Sequence, residues 1–277
     1  MATVAELLRL TEGLTADSPA RDLEILLGHV LGKTRTWLYT WPEFELDELQ
    51  LEQFTRLLQR RQKGEPVAYL TGQRDFWSLS LQVDPSTLIP RPETETLVEW
   101  ALQLPLPSRV RALDLGTGSG AIALALASQR PAWDVIGIDS SEPAVELARE
   151  NARANDLERT TFFCSDWFAA LPGRRFELIV SNPPYVDEAD PHLQRGDVRF
   201  EPSSALVAGN CGIADLAYIV GEAPNYLESG GWLLLEHGFE QGEAVRSLLY
   251  RRGFAGIETR TDLAGLERIS GGCLNAQ

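Results

Sequence analysis

Apolar positions three and four residues apart dominate the first 72 residues. In "TVAELLRLTEGL" they fall at Val4, Leu7, Leu8 and Leu14, with Gly13 near the end. "SPARDLEILLGHVLG" opens on Ser18 as an N-cap with Pro19 in the first helical position, and Gly32 marks its stop. "DELQLEQFTRLLQRRQKG" carries Leu49, Leu51, Phe54, Leu57 and Leu58 and ends at Gly64. This spacing predicts a small helical domain over 1–72. Between 73 and 89 the period changes. Phe76, Leu79, Leu81 and Val83, followed by Asp84-Pro85, predict a short β-hairpin joining two domains. "PRPETETLVEWALQL" then starts a helix with Pro92 and acids in its first turn.

From about residue 109 strands and helices alternate. "VRALDLG", "DVIGID", "TTFFCSD", "FELIVSN" and "GWLLLEHG" read as strands. "SGAIALALASQ", "EPAVELARENARAN", "GIADLAYIVGEAPNYLESG" and "EQGEAVRSLLYRRG" read as helices, with Pro224 bending or ending the third. "GIETRT" and "LERISGG" close the chain as strands and add an antiparallel edge. Such alternation implies a mostly parallel sheet covered on both faces, hence an α/β domain over 90–277.

Composition narrows the class. The chain has 277 residues and is 44% hydrophobic, enough for one α/β domain and a smaller partner. Its net charge is −15, and Arg-Arg pairs never lengthen into a basic run, so non-specific binding to phosphate backbones is disfavoured. Cys164, Cys211 and Cys273 are too scattered for a disulfide framework and suit reduced thiols in the cytoplasm. His29, His192 and His237 are equally scattered, and no metal site is expected. Neither a signal peptide nor a membrane span is predicted.

Candidate chemistry lies at strand ends. "LDLGTGSGAIAL" places Gly116, Gly118 and Gly120, with Thr117 and Ser119 between them, at a strand-to-helix corner, where backbone N–H groups meet a ligand closely. Asp139 ends the next strand, where a carboxylate accepts both hydroxyl protons of a ribose. The glycines alone suit a nicotinamide enzyme as well as an S-adenosylmethionine enzyme. In "SDWF", Asp166 and Trp167 fit an adenine amino group and ring face, or equally an N-cap and a core aromatic.

"IVSNPPYVDE" distinguishes these. Asn182, Pro183, Pro184 and Tyr185 end an apolar strand on a stiff turn. A planar amide or aromatic amine attacks a methyl sulfonium poorly, because its lone pair is delocalised. Two acceptors on its two N–H groups favour a pyramidal nitrogen with that pair freed. The Asn182 side-chain oxygen supplies one acceptor and the Pro183 carbonyl the other, while Tyr185 offers a flat face. No base is required before transfer, since the proton turns acidic afterwards.

These segments, with "GEPVAYLTGQRDFWSLSLQV", "TLIPRPETE", "RFEPSSALVAG" and "LLLEHG", resemble the N5-glutamine methyltransferases of the HemK type, nearly end to end. The branch acting on peptide chain release factors is the most similar. The resemblance implies a Rossmann-like, seven-stranded S-adenosylmethionine-dependent domain and a helical domain that recognises the release factor. It also implies that the glutamine of a Gly-Gly-Gln loop enters the pocket. Gly116, Thr117, Gly118, Ser119, Gly120, Asp139, Asp166, Trp167 and Asn182 would then line the cofactor, and Asn182 to Tyr185 the glutamine amide. Arg91 and Glu93 fall in a family segment without an assigned role. The tail "LERISGGCLNAQ" departs from the family's more basic ending. A cytoplasmic monomer is expected. The rivals are a ribosomal-protein glutamine methyltransferase, an adenine-N6 nucleic-acid methyltransferase, an inactive cofactor-binding protein and a dehydrogenase. Net charge and the acids Asp187, Glu188 and Asp190 oppose the nucleic-acid enzyme.

Overall fold

The computed structural model of the chain describes residues 2–14 and 18–275, and two compact units emerge within it. The first comprises Met1–Gln73 together with Pro191–Phe200. It contains α1 (Val4–Leu7), α2 (Pro19–Leu31), α3 (Arg35–Thr40), α4 (Glu48–Gln62) and α5 (Val67–Thr71). Val4, Leu23, Leu26, Leu27, Leu38 and Phe54 form its buried centre. A capping box between Asp47 and Gln50 starts α4, and Gly32 ends α2 in the left-handed region. Pro19 holds its predicted position, but the Ser18 side chain makes no capping bond. Residues 191–200 join this unit through Arg61, which pairs with Asp22 at 2.6 Å and Asp197 at 2.7 Å.

The first predicted helix shrinks to one turn. Thr3 and Glu6 cap it reciprocally, but beyond Leu8 the backbone bonds tighten (Leu10 to Leu7, Thr11 to Arg9) and Gly13 turns at φ +79°. Leu10 is 44% exposed, so no buried face offsets the cost of extending the helix.

The second unit, Arg74–Asp190 with Glu201–Gln277, contains the sheet. The hairpin β1 (Gln73–Phe76) and β2 (Leu79–Gln82) leads to α6 (Glu95–Gln103). Then come β3 (Arg111–Leu115), α7 (Ala121–Gln129), β4 (Asp134–Asp139), α8 (Glu142–Ala154), β5 (Thr161–Cys164) and β6 (Phe176–Ser181). One-turn α9 (Gly209–Gly212), α10 (Ala214–Glu222), β7 (Leu227–Glu236), α11 (Gly242–Arg251), β8 (Phe254–Thr261) and β9 (Glu267–Leu274) complete it. The seven strands lie in the order β5-β4-β3-β6-β7-β9-β8, parallel up to β7 and antiparallel at β9 and β8.

Strand alternation divides the core. Ala112, Leu178 and Val180 face α6, α7, α8 and the hairpin, whereas Leu113, Leu115 and Ile179 face α10 and α11. Asn151 of α8 is fully buried and ties the hairpin to the glycine turn. It accepts from Gln82 N at 2.6 Å and donates to Gln82 O and Ser119 O.

One further boundary differs from expectation. Pro224 ends α10 in a 3-10 turn, and "LESG" opens β7 instead of extending the helix, with Leu227 pairing to Phe176. The atypical tail does form a strand: β9 lies between β7 and β8. Ala276 and Gln277 fall outside the described residues.

Candidate functional site

Strand order reverses at β3, which has β4 on one side and β6 on the other. Open α/β sheets bind ligands outside the carboxyl ends of strands at such a point. A pocket of about 290 Å³ lies there, all its walls from the α/β unit. Gly116, Thr117, Gly118, Ser119, Asp139, Asp166, Trp167, Asn182 and Pro184 line it. Gly120, Pro183 and Tyr185 do not. A Cβ on Gly120 would meet Ala148, Leu124 and Phe162 at 3.2–3.3 Å, which marks it as a packing glycine behind the wall.

The glycine turn is held from below. Gly116, Gly118 and Gly120 all have positive φ, so residues with side chains would strain it. Thr117 N donates to Ile138 O at 2.8 Å and Gly118 N to Asp139 Oδ2 at 3.0 Å. Asp139 Oδ1 accepts from Ser141 N at 2.9 Å. Burial raises the Asp139 pKa, and the bonds from Ser141, Gly118 and Ser140 counter it.

Asp114 lies beneath the turn, fully buried. Its Oδ2 accepts from Thr117 Oγ1 at 2.6 Å and from Ala123 N at 3.2 Å, and Oδ1 has no partner. Burial pushes it up to about 7 against those two bonds.

Trp167 has φ +45°, a conformation a bulky residue adopts only under constraint. Ser165 Oγ donates to Trp167 O at 2.7 Å and accepts from Ala170 N at 3.0 Å, which locks the turn. The ring is thereby placed over Gly116, 3.8 Å from where a Cβ there would stand. Asp166 precedes this turn but makes no capping bond, so its carboxylate is not spent on a helix end.

At the end of β6, Asn182 Nδ2 donates to Thr94 Oγ1 at 3.2 Å. Asn182 also lines the pocket, so its amide can meet a ligand there. Tyr185 donates its hydroxyl to Glu236 Oε1 at 3.2 Å, and its carbonyl accepts from Gln241 Nε2 at 3.1 Å. Burial raises the Tyr185 pKa, and the Glu236 charge raises it further. Gly212, at φ +77°, passes so close that a Cβ would lie 2.2 Å from the Tyr185 carbonyl oxygen. Val186 N donates to Leu206 O and Ala208 N to Val186 O, fastening the segment beyond the turn.

Sequence reasoning left several site residues unassigned. Asp215, from α10, lines the pocket, and burial together with the charge of Asp166 raises its pKa. Arg91 also lines it and pairs with buried Glu201, which accepts from Ile89 N as well. That assigns "IPRP" and "RFEP" to one another, as a staple across the pocket's rim. Thr94 and Glu236 support the corner itself. The available signal was a charged residue closing an apolar run, as Glu236 closes "WLLLE". Among the described residues no group of three or more His, Cys, Asp or Glu side chains could hold a metal.

A glycine turn, an acid at the neighbouring strand end and a proline-stiffened amide, on this seven-stranded sheet, define a Rossmann-like methyltransferase. The family model for the PrmC N-terminal domain matches residues 7–72, and that for the methyltransferase small domain matches 94–199. A methyltransferase from Pyrococcus furiosus shares the fold, with TM-score 0.56 at 16% identity over 80% of this chain and 100% of that one. So does the hMettl16 catalytic domain, with TM-score 0.59 at 13% identity over 86% of each chain. The release factor glutamine methyltransferase of Pseudomonas aeruginosa is 53% identical over 98% of both chains. That of Escherichia coli is 53% identical over 92% of both. The chain belongs to the release factor glutamine methyltransferases.

Proposed function

We propose that this chain transfers a methyl group from S-adenosylmethionine to the side-chain amide nitrogen of the glutamine in the Gly-Gly-Gln motif of class I peptide chain release factors. The observation that supports this is Asn182, which lines the pocket at the end of β6 while its amide nitrogen donates to Thr94.

The pocket's donor set fits this cofactor. Asp139, Asp166 and Asp215 line it against one cationic side chain, Arg91, which Glu201 neutralises. Such a field attracts a sulfonium and an ammonium and repels a dinucleotide's diphosphate. When bound, S-adenosylmethionine supplies an electrophilic methyl group. Gly116 to Ser119 offer backbone close to it, Asp139 accepts from its ribose, and Asp166 and Trp167 take its adenine edge and face.

Asn182 Oδ1 and the Pro183 carbonyl then accept the two N–H groups of the glutamine amide. That geometry favours a pyramidal nitrogen whose lone pair is turned toward the methyl. Pro183 and Pro184 keep the acceptors in place, and Tyr185 stands behind them as a flat support. Positioning of this kind supplies up to ~7–11 kcal/mol. The helical unit supplies recognition of the release factor. Action in the cytoplasm, as a monomer without nucleic acid or membrane, completes the proposal; no helix among the described residues is long and apolar enough to cross a membrane.

Replacing Asn182 with Ala tests the role. Turnover measured as methyl transfer to purified release factor is expected to fall about 10²–10³-fold, the cost of one preorganised group. Cofactor affinity by calorimetry is expected to change less than about twofold. Near-full turnover in that variant would reject the assignment.

A further inference from the structure

Gln241 stands at the head of α11, does not line the pocket and belongs to none of the strand-end motifs. Its side chain does not cap that helix. Its amide bonds instead to backbone at three places. Oε1 accepts from Gly238 N at 2.9 Å, while Nε2 donates to Tyr185 O at 3.1 Å and to Gly212 O at 3.2 Å. Those two carbonyls lie 56 and 29 residues away in sequence. One N–H and two carbonyls permit a single orientation of the side-chain amide, because its oxygen only accepts and its nitrogen only donates. The Gln241 N–H also donates to Gly238 O at 2.9 Å, which closes the turn that carries the side chain.

Each carbonyl belongs to a segment that serves the pocket. Tyr185 ends the Asn-Pro-Pro-Tyr corner, two residues beyond Pro183. Gly212 ends α9, where Asn210, Cys211 and Gly212 follow one another at φ +54°, +56° and +77°. Consecutive left-handed residues are unfavourable wherever a Cβ is present, so contacts from outside must hold this turn. α10 follows at once and brings Asp215 to the pocket wall. The two segments meet closely: a Cβ on Gly212 would lie 2.2 Å from the Tyr185 carbonyl oxygen and 2.9 Å from Gln241 Nε2. Two carbonyl oxygens converge there, and the Gln241 NH2 group supplies each with a proton. Without those protons the oxygens face each other unpaired, which drives the corner and the α9 turn apart.

We propose that Gln241 is a positioning residue for methyl transfer, which fastens the Asn-Pro-Pro-Tyr corner to the strained α9 turn and so holds the corner's acceptors at their distance from the cofactor wall. The proposal rests on that corner receiving the acceptor amide. Gln241 acts only through the main chain of Tyr185 and Gly212.

The test compares wild type with Gln241→Met, Gln241→Glu, Asn182→Ala and the double variant Asn182→Ala with Gln241→Met. Methionine keeps the length of the side chain and removes all three bonds. Turnover at saturating cofactor and release factor is measured with the KM for release factor, cofactor affinity by calorimetry and melting temperature. Gln241→Met is expected to lose about tenfold or more in turnover, as a small misplacement of reacting groups does. Its KM is expected to stay within about twofold, and its loss of cofactor affinity to be smaller than its loss of turnover. In the Asn182→Ala background the same substitution is expected to cost less than about twofold more, because both changes act on one corner. Wild-type turnover in Gln241→Met, a change confined to KM, or a loss of cofactor affinity as large as the loss of turnover would overturn the proposal. So would full additivity with Asn182→Ala. If Gln241→Met does not fold, Gln241→Glu decides by the same criteria, since it can keep the bond from Gly238 and turns an oxygen toward the two carbonyls. Asn182→Ala separates the two levels. If it is impaired while Gln241→Met is normal, the role of Gln241 alone fails; if it keeps full turnover, the reading of the corner fails.

Discussion

Glu24 in the helical unit and Glu236 in the α/β unit are both withdrawn from water, and they titrate in opposite directions. Burial would raise Glu24, but Tyr39, Arg21 and Arg35 converge on it at 2.6, 2.9 and 2.8 Å and hold it down at about 2. Glu236 is more deeply buried, accepts from a phenol in place of arginines, and is pushed up to about 7. Asp114, under the glycine turn, behaves like Glu236. One unit uses a buried carboxylate as a clasp between α2 and α3. The other keeps buried carboxyls without a paired cation beside its pocket, which a purely structural design would avoid.

The contrast can be broken at its sharpest point by Gly212→Ala, which changes no titrating group itself. The added Cβ would overlap the Tyr185 carbonyl and push the corner aside. Turnover is expected to fall about 10²-fold, the scale of an ångström misplacement, and unchanged turnover would mean that the corner's position is not critical. Next in size, Glu24→Ala should cost about 2 kcal/mol of unfolding free energy in the helical unit, as the charge-assisted bonds are lost. Its pKa is depressed in the folded chain, so this stabilisation is complete above 4.5 and disappears as pH falls toward about 2. Acid titration of wild type and variant by circular dichroism checks the sign; a variant equally stable at neutral pH would reject the clasp. Smallest, Asp139→Ala should weaken cofactor binding about tenfold, or ~1.4 kcal/mol, and equal affinity by calorimetry would remove the ribose contact from the account.

Residues that act where the chain itself turns were legible beforehand. Gly116 to Ser119, Asp139, Asp166, Trp167, Asn182 and Pro184 each end or follow a strand, and period and punctuation alone bring them to one edge. Gly120, Pro183 and Tyr185 belong to the same motifs but do not line the pocket, because a motif states adjacency in sequence and not which residues wall a cavity. Thr94, Glu201, Asp215 and Glu236 reach the site from distant segments, and no local pattern encodes a partner about a hundred residues away. The shortened α1 and the early start of β7 are likewise set by packing, through an exposed Leu10 in one case and the pairing of Leu227 with Phe176 in the other.

The most direct measurement is mass spectrometry of purified release factor after incubation with this chain and isotopically labelled S-adenosylmethionine. One added methyl group, on the side-chain nitrogen of the Gly-Gly-Gln glutamine and absent with Asn182→Ala, is the predicted result. Label on another residue, on a ribosomal protein alone or on nucleic acid, with the release factor unmodified, would contradict it.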